Sequence, residues 1–158
     1  MIEQICLNNA LLKGAQEVFT TMISRNIEYC DSCQEIEGDS FLGSITFNGS
    51  MEGCLAICCS ELCAKTIAAK MLAMDSSEDL SEEEICDAFG EVTNMIMGSV
   101  KARLQNTTGE ISVSIPTVVR GRELQNSLGE GAHKTLIKVK FENEYLSELS
   151  ILYRENSE

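Results

Sequence analysis

Bases, histidines, prolines and long apolar runs are all scarce in this chain, and each scarcity closes off a class of function. Lysines and arginines number 12 against 25 acids, a formal net charge of −13. A field of that sign repels phosphate backbones and anionic lipid, so neither nucleic acid nor a membrane surface is expected as a partner. A phosphorylated protein is compatible with it, provided that protein brings basic groups of its own. No apolar run approaches the eighteen or so residues of a membrane-spanning helix. His133 is the only histidine, which leaves little room for Ser/His or Cys/His catalysis, and no G-x-S-x-G elbow occurs. The stretch "GEGAHKT" at 129–135 has glycines and a lysine without the spacing of a phosphate-cradling loop. No cysteine is followed six positions later by arginine, the spacing that suits a thiolate phosphatase. The chain therefore offers no covalent nucleophile. Its opening "MIEQICLNNALLKG" lacks a basic region and a small-residue cleavage site, so neither a signal nor a transit peptide is expected, and the expected location is cytoplasmic.

What is present suits one compact domain over residues 1–158, with 44% hydrophobic residues to build its core. Eight cysteines are abundant for such a chain. Without a secretory signal they read as reduced thiols. Cys30 and Cys33 form a C-x-x-C, and Cys54, Cys58, Cys59 and Cys63 cluster in "CLAICCSELC". A zinc site would want further ligands at similar spacing, so small buried hydrophobes are the expected role, with a thiol or zinc function as the competing one.

Leu11, Ala15, Phe19 and Met22 recur at helical spacing and predict an amphipathic helix over 5–23. "SITFNGSMEGCLAICC" predicts two strands around Asn48-Gly49, a type I′ hairpin signal. Ser60 can cap a helix reaching Ala73, with Leu62, Ile67, Met71 and Leu72 on its apolar side. Ser81 and Glu84 form a capping box, flanked by a Leu80–Ile85 staple, for a helix over 82–105 with Lys101 and Arg103 in its last turn. Ile111, Val113 and Ile115 then alternate with serines until Pro116, the only proline, interrupts the strand. A polar excursion follows, with His133 expected in a loop. Two alternating strands run through Ile137–Phe141 and Leu149–Tyr153. This order implies an α+β fold with an antiparallel or mixed β-sheet packed against helices.

The helix over 82–105 carries the most informative surface. Advancing about 100° per residue from Ile85 puts Phe89, Val92 and Ile96 within about 40° of zero, the buried stripe. Asn94 then falls at about 180°, Asp87 at about 200°, Gly98 at about 220° and Glu91 at about 240°. A polar outer face is what any surface helix needs. Asparagine and glycine are nevertheless poor residues for an exposed helix interior, and a glycine there lets another surface approach the backbone.

"DAFGEVTNMIMGSVKARL" followed by "ISVSIPTVV" resembles the CheC/CheX/FliY family of chemotaxis phosphatases, with CheX the nearer branch. The family pattern is Asp or Ser, Glu four residues on, Asn three further, and a proline about twenty-two residues later. Asp87, Glu91, Asn94 and Pro116 occupy those positions. CheC proteins carry two Glu/Asn motifs on pseudo-symmetric helices, whereas here Glu17 of the first helix is followed by Thr20, which favours CheX. The resemblance implies a CheC-like fold. It also implies hydrolysis of the aspartyl phosphate of a CheY-type receiver domain, within chemotaxis or two-component signalling. The chain would need no cofactor of its own, because the receiver supplies both phosphoaspartate and Mg²⁺. Asn94 would orient the attacking water without a covalent intermediate, and Glu91 would pair with the receiver's active-site lysine. Asp87 would either orient its neighbours or simply lie on the polar face, Pro116 would shape the strand end, and Gly98 would admit the receiver. Homodimers through sheet edges are a further implication. The alternative is an adaptor of the same fold that docks on a receiver or flagellar switch component without catalysis.

Overall fold

The computed structural model describes residues 2–31, 34–124, 126–142 and 144–156. The chain opens with helix α1 (Gln4–Val18), which widens into a π-helical turn at Phe19–Ile23. Ser24, at φ 58°, ends it in the left-handed region. The expected helix over 5–23 is thus present with a changed pitch in its last turn, and that change leaves Met22 exposed. Strands β1 (Ile27–Tyr29), β2 (Ser40–Asn48) and β3 (Met51–Ser60) follow, then helices α2 (Glu61–Met71) and α3 (Glu82–Thr108). Strands β4 (Ser112–Val113), β5 (Thr117–Gly121), β6 (His133–Phe141) and β7 (Tyr145–Glu155) complete the order.

The seven strands form one sheet in the order β1-β6-β7-β3-β2, with β4 and β5 sharing the outer edge of β2. Every pairing is antiparallel, so the expected antiparallel-or-mixed sheet is the former. One face carries Phe41, Ile45, Leu55, Ile57, Val139 and Ile151 at alternate positions, packed beneath Leu11, Phe19, Ile67, Phe89, Val92 and Ile96 of the helical layer. The opposite face is more polar. Its small apolar cluster of Leu42, Ala56 and Cys58 is packed by the partly buried Ile36 and Leu124.

Several local expectations are corrected. The β2–β3 hairpin turns at Asn48-Gly49 but is not type I′, which needs positive φ at both central residues. The positive-φ positions among the described residues lie elsewhere. Gly49 is demanded by crowding instead: a Cβ there would stand 2.8 Å from both Ile111 Cγ2 and the Glu110 carbonyl. Ser60 caps α2 as expected, accepting from the Cys63 amide at 3.2 Å. The helix's buried side, however, is Cys63, Ala64, Ile67, Ala68 and Ala69, while Leu62 is 56% exposed. Ile67 is buried as expected and Met71 packs against the core, but Leu62 and Leu72 are left outside because the small residues let the helix sit close. α3 runs past residue 105 to Thr108, which leaves Lys101 and Arg103 short of the last turn. The polar excursion begins with strand β5, and His133 starts β6 on the surface, its ring 5.3 Å from that of Tyr153.

The cysteines at 54, 58, 59 and 63 are buried. Burial pushes the Cys58 thiol up to about 11 and the Cys59 thiol well above its usual value. Both therefore stay protonated at neutral pH and behave as core hydrophobes. Among the described residues no three His, Cys, Asp or Glu side chains are grouped to hold a metal. The C-x-x-C pair cannot be described as such, because Cys33 lies outside the described residues.

Gly43, in the middle of β2, sets the distance between α3 and the sheet. A Cβ built on it would overlap the Thr93 hydroxyl and come within 3.1 Å of the Phe89 ring. Thr93 is fully buried there, its Oγ1 donating to the Phe89 carbonyl at 2.9 Å. Neither neighbour can yield cheaply inside a packed core. Gly43→Val is expected to cost about 1–3 kcal/mol of stability, read as a fall of several degrees in the thermal midpoint. An unchanged midpoint would show that the helix can ride higher at no cost.

Candidate functional site

The site is built on α3, and α3 is built to start at a defined residue. Ser81 Oγ accepts from the Glu84 amide at 3.1 Å and Glu84 Oε1 accepts from the Ser81 amide at 3.1 Å, closing the capping box. Glu82, Glu83 and Glu84 fill the first turn, where the helix dipole favours negative charge. Further along, Ile85, Phe89, Val92, Thr93, Ile96, Met97 and Val100 are buried. Asp87, Glu91, Asn94 and Gly98 are all exposed, as the helical wheel requires. At 1.5 Å of rise per residue the ridge from Asp87 to Gly98 is about 16 Å long, with Glu91 and Asn94 about 4.5 Å apart along the axis.

Neither Glu91 nor Asn94 spends its side chain on a hydrogen bond or ion pair among the described residues. Glu17, the counterpart on the first helix, differs sharply. Its Oε2 lies 2.7 Å from Arg103 Nη1 and 2.9 Å from Ser99 Oγ. Hydrogen bonds from Arg103 and then Ser99 hold the Glu17 carboxyl below its usual pKa. That carboxylate is engaged within the chain, which leaves one ridge, on α3, free to meet a partner.

Pro116 lies beside the ridge, not on it. A Cβ on Gly90 would stand 3.7 Å from Pro116 Cγ and 3.5 Å from Val118 Cγ2, so the proline and valine lie over the helix one residue before Glu91. The strand reaches this position through a bulge. Val113 pairs with Phe47 and Thr117 with Ser44, while the Ser114 amide donates to the Thr46 carbonyl at 2.9 Å. Ile115 and Pro116 therefore oppose the single residue Ile45, and the proline's missing N–H falls where the ladder is already broken. Beyond it Arg120 anchors β5. Its guanidinium lies 3.0 Å from Glu61, 3.5 Å from Asp39 and 3.5 Å from Glu82, and 6.0 Å from the centre of the Phe41 ring. These pairs are exposed and individually weak, but together they tie β5 to the first turns of both α2 and α3.

Asp87, Glu91, Asn94 and Gly98 thus share one exposed ridge, with Pro116 flanking it. Two supporting residues escaped the sequence reading. Gly43 could have been suspected, since a glycine inside a strand often marks a close backbone approach. Ile115 could not. Its place in an alternating pattern suggested burial, yet it is 85% exposed, as Val113 is at 42%, because this strand runs along the outer edge of the sheet.

Residues 41–140 match the family model described as chemotaxis phosphatase CheX, a span that contains the whole ridge and Pro116. No curated protein sequence is similar enough to match. Among solved structures, the chemotaxis protein CheX from Vibrio vulnificus is 22% identical over 98% of this chain and 100% of that one, with a TM-score of 0.75. CheX in the CheX–CheY–BeF3–Mg²⁺ complex from Borrelia burgdorferi is also 22% identical, over 98% of this chain and 100% of that chain, with a TM-score of 0.78. FliY from Thermotoga maritima is more remote, at 17% identity over 92% of this chain and 85% of that one, with a TM-score of 0.66. At these identities the likeness establishes the CheC-like fold.

Gly98 has no packing reason to be glycine: a Cβ there meets nothing within 4 Å. Gly98→Ala is expected to stabilise the protein by about 1 kcal/mol, the helix-interior difference between the two residues. A rise in the denaturation midpoint checks this, and a fall would reveal a local constraint on the helix.

Proposed function

The chain belongs to the CheX family of chemotaxis phosphatases, and from that premise we propose that it dephosphorylates the phosphoaspartate of a CheY-type receiver domain. One observation carries the reading: an exposed carboxylate and carboxamide, neither engaged among the described residues, stand one turn apart on a helix whose opposite face is buried.

Acyl phosphates are intrinsically reactive, so placing a water in line with the phosphorus can supply much of the acceleration. The Asn94 carboxamide both accepts from and donates to such a water, and it adds no charge near the phosphoryl oxygens. A carboxylate at that position would repel them. The water oxygen bonds to phosphorus as the bond to the aspartyl oxygen breaks, phosphate leaves, and the receiver's carboxylate is regenerated. Both protons of the water depart with the phosphate, which leaves as dihydrogen phosphate. Glu91 pairs with the receiver's active-site lysine and so fixes the helix over the phosphoryl group. Mg²⁺ belongs to the receiver. Asp87, one turn before Glu91, adds to the negative field that favours a cationic partner. A cytoplasmic location follows from the substrate. The β1 edge of the sheet, at the opposite end of the strand order from β4 and β5, is where a second copy would pair in a homodimer.

Decay of a phosphorylated CheY-type receiver tests this reading. Asn94→Ala should lose roughly 10²-fold or more in accelerated hydrolysis while still binding the receiver. Glu91→Ala should also weaken binding, by about ten-fold or more. Wild-type rates in both variants would refute the assignment of the ridge. A wild-type protein that binds receivers but never accelerates their decay would leave the adaptor role in its place.

A further inference from the structure

Ile115 is the most exposed large hydrophobic side chain in the described structure, at 85%, with Val113 at 42% on the same strand edge. Its position relative to the ridge follows from the strand's course along α3. Arg120 meets Glu82 at one end, and Pro116 lies against Gly90. At the other end Ile111 lines a small apolar cleft with Met97, Val100 and Leu104. The strand therefore runs antiparallel to the helix. Ile115, between Pro116 and Ile111, lies alongside the turn that holds Asn94. Val113 pairs with Phe47 of the helix-side core, so alternation carries Ile115 to the helix side of the sheet, and the extra residue of the bulge brings Pro116 there as well.

We propose that Ile115, with Val113 beside it, forms an apolar lip of the docking surface, and that it seats against an apolar patch next to the cationic edge of the phosphorylated receiver. The inference rests on the functional reading given above and assigns to it a residue that determines affinity and receiver choice. The charge around the lip selects the occupant. Glu83, Asp87 and Glu91 are exposed on the adjoining ridge and make no ion pair among the described residues. On a chain of net charge −13 they disfavour a second copy of the protein, which would bring a like ridge to the same place. They disfavour an anionic membrane for the same reason. A protein with a basic group next to an apolar patch satisfies both halves of the surface. An exposed β-branched residue on a bulge is already ordered by its backbone, so burying it on binding costs little side-chain entropy.

Ile115→Ser and Ile115→Leu separate the possibilities, since so exposed a position should leave folding intact, which thermal midpoints would check. With a CheY-type receiver loaded with beryllofluoride and Mg²⁺, Ile115→Ser should weaken binding about ten-fold. Turnover of the phosphorylated receiver should show the change in KM with kcat preserved, and Ile115→Leu should bind nearly as wild type. Unchanged binding by Ile115→Ser would overturn the lip, as would a loss confined to kcat. A shift in the protein's own oligomeric state with receiver binding intact would instead assign Ile115 to self-association and overturn it equally. Asn94→Ala, measured alongside, keeps the two readings apart. If it abolishes turnover while Ile115→Ser changes nothing, only the lip fails; if it turns over normally, the catalytic reading fails.

Discussion

The close seating of α3 on β2 is the constraint from which the rest of the structure takes its measure. Gly43 removes a side chain at the one point where Thr93 and Phe89 press on the sheet. With the helix that low, Pro116 and Val118 can lie against Gly90, and Arg120 can reach Glu82 and Glu61 from the same strand. Raise the helix and these contacts loosen together. The outward ridge would then keep its residues but lose its fixed place beside the strand edge.

The two long helices show how a similar scaffold can carry an open and a closed surface. They cross where Gly14 meets Val100, with a Cβ on the glycine standing 3.1 Å from the valine's Cγ2. On α1 the carboxylate of Glu17 is drawn into the interhelical contact by Arg103 and Ser99. On α3 the carboxylate of Glu91 is left facing water. The difference is one of pairing, not of residue type. A glutamate already held by an arginine has little left for a partner's lysine, whereas an unpaired one in an acidic field is available at little cost.

The parts of this arrangement legible in the sequence were those set by local physics. The capping box at Ser81 and Glu84 and the outward ridge of α3 depend on spacing within one helix, and both were readable from the residues. The turn at Gly49, the buried side of α2 and the bulge at Ile115 depend on what lies across the sheet or beneath the helix. At Gly49 the deciding neighbours, Glu110 and Ile111, lie some sixty residues away in the chain. In α2 alanine and cysteine took the core positions and Leu62 was left outside, because helix distance mattered more there than side-chain size. At the bulge a single extra residue brought Pro116 to the face that alternation would have denied it, and left Ile115 exposed beside it. The candidate site was legible because it is a surface of one helix. Of its flank Pro116 was legible and the exposed Ile115 was not, because a bulged edge strand supplies it.

The uninterrupted length of α3 bears on how such a protein could be controlled. The helix passes through the ridge without a break from Glu82 to Thr108, and its ends are set by a capping box and by Gly109. Glu91 and Asn94 are therefore presented on unbroken helix, already in place before a partner arrives. On the proposed reading, the output of such a ridge would follow how many copies the cell makes, the ionic strength that screens its negative field, and how much of the receiver carries the phosphoryl group at a given moment.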